Sequence, residues 1–344
     1  MTTPRFAISQ LTTTPWPLTR DLELFARLNA DIELAEMKFD KDAGKLAEQF
    51  AQLNAHGLRP VSLQPEVRTI YPATSALEPA DPAERTALIK ATIDRFAPFC
   101  TGIPVITNTG ALGQSGNEAE VWEGCIKRYR ELADHAADQG LSIAIEPLSP
   151  PMMSRDSILY TFMQGYELVQ AVARENVGLC LDLYNSWQDA DLSNAIRLAG
   201  DRIFLTQLSD WQRPRSYFDR RTLGDGIIPV NRLLAAVNET GYAGPTFWKF
   251  SRLMYPARSG RTMTRLSRPF FAARPASKKP GPQEMRWLIW ASRNPQGACS
   301  CRGAGRSKGG RAAEGVGRWA SSWRIWRSCN REQVTSATVA PIRA

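Results

Sequence analysis

Residues 141–148, Leu-Ser-Ile-Ala-Ile-Glu-Pro-Leu, and 177–184, Val-Gly-Leu-Cys-Leu-Asp-Leu-Tyr, decide the fold. Each is a short, almost wholly apolar run with one carboxylate at its C-terminal end, which is how a parallel strand covered on both faces reads. Residues 202–210, Arg-Ile-Phe-Leu-Thr-Gln-Leu-Ser-Asp, follow the same pattern and carry an amide at that place. When parallel strands close into a barrel, their C-terminal ends converge on one rim, where active sites are built. Glu146, Asp182 and Gln207 are therefore expected to meet on that rim. Carboxylate and amide oxygens suit a hard divalent ion, Mg²⁺ or Mn²⁺, better than a thiol-seeking one. A fourth donor is expected near Trp248, where the sequence does not supply one.

Outward from these runs, further strands are predicted at Phe6 to Ser9, Asp31 to Met37, Pro60 to Gln64 and Ile103 to Thr107, with the three above placed at Ser142 to Glu146, Val177 to Asp182 and Ile203 to Gln207. Helical stretches alternate with them, among them Lys41 to His56, Pro82 to Phe96, Glu118 to Gln139, Ser157 to Arg174 and Val230 to Glu239. Asp81 before Pro82 and Asn117 before Glu118 and Glu120 have the chemistry of helix starts. This alternation, with one more strand due at Gly244 to Phe250, points to a (β/α)8 barrel. The competing open doubly wound sheet wants a glycine-rich turn after its first strand, and Ser-Gln-Leu-Thr-Thr-Thr-Pro-Trp has none.

Composition changes where the eighth strand is due. From Thr246 onward there are 20 Lys and Arg against 3 Asp and Glu, whereas the first 245 residues carry a net charge of −8; the whole-chain value of +9 describes neither part. Codon logic offers a reason. Trp has the single codon TGG and both Lys codons begin AA, so the reading frame that starts on the last base of Trp248 must encode Glu. Its neighbours must be Leu before and Val or Ile after. The adjacent frame therefore spells a buried strand with one Glu at the place the barrel needs it. The segment after about Pro245 is read as an out-of-frame translation, giving a barrel over residues 1–250 with its last strand disrupted and an Arg-rich tail of low order over 251–344.

The strings Ile-Ala-Ile-Glu-Pro-Leu, Gly-Leu-Cys-Leu-Asp-Leu-Tyr-Asn, Asp-Arg-Ile-Phe-Leu-Thr-Gln-Leu-Ser-Asp and Leu-Gly-Asp-Gly-Ile-Ile-Pro-Val together resemble the xylose-isomerase-like TIM barrels, in particular the sugar phosphate isomerase/epimerase group. The resemblance covers roughly residues 5–245. It implies one divalent metal, Mn²⁺ or Mg²⁺ with Co²⁺ or Zn²⁺ as alternatives, held by Glu146, Asp182 and Gln207, with a fourth Glu missing. It further implies an enzyme that isomerises or epimerises a sugar or sugar phosphate through an enediolate, with Glu146 moving the proton, and inactive in this form if the lost ligand is required. Asn185 stands where many relatives have His, and Gln207 where epimerases often have His. The Gln variant is similar to relatives that dehydrate cyclic polyols or dehydroshikimate, so a metal-dependent lyase is the alternative. Asn185, Arg220 and Arg221 are expected to touch substrate, the arginines as an oxyanion clamp.

Each of these residues also has a plainer reading. A Glu or Asp at a strand end commonly caps a helix or a loop, and Arg220 and Arg221 could be an exposed basic loop. His56 and His135 lie in helical stretches and read as structural; no Ser-His-Asp or Cys-His arrangement is legible. The Cys residues fall into no disulfide or zinc pattern, and no leader or membrane-length apolar run is present. These features predict a cytoplasmic protein acting on a small sugar or polyol, without specific nucleic-acid or membrane partners, with homo-oligomerisation left open. A basic nucleic-acid-binding role would rest on the tail alone, which lacks stacking motifs and helical periodicity.

Overall fold

Eight parallel strands close on themselves in chain order, each hydrogen-bonded to its neighbours, with β8 joined to β1. The computed structural model describes residues 6–113, 116–211, 220–221, 223–224 and 226–249. All fall in one of the chain's two compact units, Met1–Gly297. The strands are β1 Ala7–Ser9, β2 Asp31–Ala35, β3 Pro60–Gln64, β4 Pro104–Thr107, β5 Ser142–Ile145, β6 Val177–Asp182, β7 Ile203–Leu208 and β8 Thr246–Trp248. The helices are α1 Leu18–Arg27, α2 Ala43–Ala55, α3 Pro82–Phe96, α4 Glu118–Asp138, α5 Phe162–Val172, α6 Leu183–Ser186, α7 Leu192–Ala199 and α8 Val230–Glu239.

The anticipated helix starts operate as capping chemistry predicts. Asp81 accepts from the Ala83 amide and Asn117 from the Ala119 amide, each satisfying a donor that the first helical turn leaves unpaired. The helix expected over Ser157 to Arg174 is shorter. It begins at a Thr161–Gln164 capping box and ends where Ala173 turns left-handed.

The expectation of a disrupted last strand needs correction, because β8 is present and closes the barrel. Main-chain pairing is indifferent to side chains, so a short segment suffices if its inward residue is apolar. Phe247 meets that need, packing with Ala7, Ile106, Ala144, Cys180 and Leu205 in the layer that fills the barrel's interior. On the outer face, Trp248 lies 4.7 Å from the Phe6 ring. The ladder runs one residue further, with the Lys249 amide donating to the Leu208 carbonyl at 3.1 Å. The tail expectation for 251–344 concerns residues outside those described.

The second core layer lies between barrel and helices. Gly165 on α5 marks a close approach to the rim: a Cβ there would come 2.5 Å from Pro147 Cγ and 3.0 Å from Leu179 Cδ2. Gly165→Ala gains about 1 kcal/mol of helix propensity and loses about 1–3 kcal/mol to overpacking. We expect a net loss of stability in denaturant melts. Pro147 follows Glu146 directly, so the displaced backbone should disturb the rim as well.

Candidate active site at the barrel rim

Strand alternation builds the site. Successive side chains point to opposite faces, so the residues two beyond the interior layer form the next inward layer, at the rim. Two beyond Ala144, Cys180, Leu205 and Phe247 stand Glu146, Asp182, Gln207 and Lys249. The three sequence-predicted donors do converge, and the fourth rim position belongs to a lysine. Its Nζ lies 2.7 Å from Gln207 Oε1, 3.2 Å from Glu146 Oε1 and 3.4 Å from Asp182 Oδ2. All four side chains are buried.

A supporting shell fixes each member. Gln207 Nε2 donates to Glu33 Oε2 at 2.8 Å, which orients its oxygen toward Lys249. Glu33, buried on β2, also accepts from Ser62 Oγ. Asn185 Nδ2 donates to Glu146 Oε1 at 2.9 Å, and Asn108 Nδ2 to the Glu146 carbonyl. Asp182 is both rim residue and helix cap, since its Oδ1 accepts from the Tyr184 amide. Arg220 Nη1 donates to Asp182 Oδ1 at 2.8 Å and to Ser209 Oγ, while Nη2 lies 2.7 Å from Asp182 Oδ2. That last oxygen is ion-paired yet has no donor aligned for a hydrogen bond. The Arg220 guanidinium also covers the Tyr184 ring, and the Trp187 and Trp211 ring centroids lie 5.2 Å apart.

The structure thus brings Asn185 and Arg220 to the cluster. Arg221 is placed differently: its main chain pairs with that of Asp210 and shapes the loop. Asp210 clasps that loop by accepting from the amides of Trp211, Gly224, Gly226 and Ile228. We expect Asp210→Ala to cost about 3 kcal/mol, the upper range for a charged hydrogen-bonding group, and to release Arg220. An unchanged melting temperature would refute this. The exposed His56 bonds within its own helix and the half-buried His135 pairs with Asp94, consistent with structural roles.

Glu33, Lys249 and Asp210 were missed in the sequence. Glu33 had a legible signal, a carboxylate inside an otherwise apolar strand. Lys249 follows its strand as Glu146 follows β5, a correspondence visible only once the register of β8 is known.

Electrostatics sets the protonation states. Burial works against the Asp182 charge, but Arg220 and Lys249 outweigh it and hold the carboxyl at about 2. Burial pushes the Glu146 carboxyl above its ordinary range; Lys249 opposes the rise and Asp182 adds to it. Burial also opposes the Lys249 charge, yet Glu146 and Asp182 more than compensate and raise its pKa, so it is an ammonium at neutral pH. The result is one firm carboxylate, one proton-hungry carboxylate and two fixed cations.

The donor set resembles what a hard divalent ion needs, but its focus is taken. Three oxygens at 2.7–3.4 Å match an ammonium with three N–H donors, whereas metal–oxygen bonds are roughly 2.0–2.6 Å. Among the described residues there is no group of three or more His, Cys, Asp or Glu arranged to hold a metal. With Lys249 in place, the residues do not fit the expected metal.

A closed parallel barrel with a buried charged cluster at the C-terminal ends of β5 to β8 defines a (β/α)8 protein of the type that builds its site at that rim. The family described as xylose isomerase-like TIM barrel matches residues 23–249, and the chain belongs to it. It is similar to the inosose isomerase of Halalkalibacterium halodurans, 28% identical over 152 residues that cover 43% of this chain and 51% of that protein. It is also similar to the L-ribulose 3-epimerase of Methylomonas sp. (strain DH-1), 28% identical over 140 residues covering 40% of this chain and 46% of that one. The chain thus spans about half the length of the curated relatives it matches. The crystal structure of IOLI protein with a binding zinc atom superposes with a TM-score of 0.59 at 23% identity, covering 73% of this chain and 90% of that one.

Proposed function

We propose that the barrel is built to move a proton on the carbon beside the carbonyl of a small sugar or cyclic polyol ketone, as an isomerase or epimerase. The observation that carries this reading is Glu146: a buried carboxylate with raised proton affinity, at the rim, facing two fixed cations. A general base works best when its pKa approaches the working pH, and burial moves Glu146 in that direction. Asn185 holds the carboxylate's orientation. Lys249 and Arg220 would face the oxygen that becomes negative as the proton leaves, and donors preorganised in a dry site stabilise such an oxyanion.

Returning the proton to a neighbouring carbon gives isomerisation, and to the opposite face gives epimerisation. The named activities of the two curated relatives, an isomerase and an epimerase, support this reaction class. The zinc in the IOLI structure supports a metal in the wider family; no step is assigned to one here, because Lys249 stands at the donor focus. The segment from about 246 onward is proposed to be out of frame. In support, the family match ends at residue 249, and the shifted Glu codon straddles positions 248 and 249. Translating the source DNA in the neighbouring frame tests that point directly.

The functional test is solvent exchange. The full chain and a frame-restored chain, the latter with and without Mn²⁺, are incubated in D₂O with ketoses and inososes. NMR should show deuterium entering the carbon beside the carbonyl, together with isomerised or epimerised product. Loss of water from the substrate would instead identify the lyase. No exchange by either chain on any member of the panel would refute the proposal.

A further inference from the structure

We infer that the Lys249 ammonium is the resident cation of this site, a built-in replacement for a divalent ion, and that the chain as written is metal-independent because the two cannot coexist. The inference rests on the rim assignment above but on neither the substrate nor the reaction. Three observations support it.

The first is position. Lys249 Nζ touches one oxygen from each of Glu146, Asp182 and Gln207, all within 3.4 Å. A metal bound to the same three oxygens on the lysine's side, at roughly 2.0–2.6 Å from each, would overlap that nitrogen, so there one must leave before the other enters. The second is the anchoring of the lysine. Its side chain is only 9% exposed, and its main-chain amide is tied to Leu208. Ejecting it would break three polar contacts and uncover a charged group that the barrel holds in place.

The third is charge. Glu146 and Asp182 already face two cations, Lys249 and Arg220, with Glu33 behind Gln207. A divalent ion added to that set creates an excess of buried positive charge, which is strongly disfavoured unless paired. If Lys249 is removed, the same oxygens present an uncompensated anionic socket. The single rim residue at the end of β8 therefore selects the kind of cation: a lysine supplies its own, and a residue without positive charge admits a metal from solution.

The experiment uses the full 344-residue chain, stripped with chelator, alongside Lys249→Glu and Lys249→Met. Binding of Mn²⁺ and Zn²⁺ is read by isothermal titration calorimetry, thermal shift and, for Mn²⁺, electron paramagnetic resonance. We expect no saturable binding and no thermal shift in the wild-type chain below millimolar metal. Lys249→Met should bind one equivalent, and Lys249→Glu should bind it at least about 100-fold more tightly than wild type, since metal ligands must be free of competing protons and cations. One equivalent in wild type with affinity within tenfold of Lys249→Glu would overturn the inference. So would a Lys249→Met variant that is folded by circular dichroism yet gains nothing.

Should neither variant fold, the wild-type chain decides alone. Lys249 should resist acetylation until the protein unfolds, and Mn²⁺ should leave that resistance unchanged. If Mn²⁺ makes Lys249 reactive in the folded protein, the metal displaces it and the inference fails.

Discussion

Replacing Lys249 with methionine in chelator-treated buffer should cost about 3–5 kcal/mol at pH 8, the range for deleting one partner of a buried ion pair. For a barrel of this size that is about 10 °C in Tm. Methionine keeps much of the volume and length, so the loss reports charge rather than a cavity. The effect should depend on pH in a defined sense. Burial already lifts the Glu146 pKa, and Lys249 is the largest opposing influence. Without the lysine the folded-state value rises further above the unfolded one. A carboxyl with a raised folded pKa contributes stability that is complete below the unfolded value and lost as pH climbs through the folded value. The penalty of Lys249→Met should therefore be smaller at pH 5 than at pH 8. Equal melting temperatures at pH 8 would show that the ammonium does not compensate these carboxylates.

The second large effect concerns Glu146. In whichever chain exchanges substrate hydrogen, Glu146→Gln should lower the exchange rate about 10²–10⁴-fold, the usual contribution of a positioned general base. The amide matches the carboxylate in shape and still offers an oxygen to Asn185 and Lys249. Substrate binding should therefore change far less than turnover, and circular dichroism should be unaltered. A variant that retains exchange within threefold would remove Glu146 from the reaction and leave it as a partner of Lys249 alone.

The barrel was legible because buried parallel strands leave continuous apolar runs, and because Asp81 and Asn117 announce their helices. Helix α1 was harder to see: Leu18–Arg27 starts after Pro17 with no side-chain cap, so the local signal of a start is missing. At the rim, period-two alternation brought Glu146, Asp182 and Gln207 together as expected, since register propagates along a strand once its apolar run is fixed. Glu33 escaped notice because its role is to orient Gln207 across the barrel from β2, and sequence separation hides such pairs. Arg220 and Arg221 are adjacent in sequence, yet only Arg220 joins the cluster. Which of two neighbours points inward is decided by the Asp210–Arg221 main-chain pairing, a tertiary feature. The fourth rim residue was sought as an acid near Trp248; the register of β8 puts a base one residue later.

The three-residue β8 has a consequence for how such a barrel can change. Its ladder asks for little: main-chain amides and carbonyls, one apolar residue facing inward at Phe247, and one ring against Phe6. The residue directly after it shares only the main-chain demand, through the Lys249 amide on Leu208, while its side chain is left to the rim cluster. Architecture and chemistry are therefore written in adjacent codons with almost no shared constraint. A change in the gene at that boundary can therefore invert the sign of a rim charge while the eighth strand still pairs on both sides and the cylinder still seals.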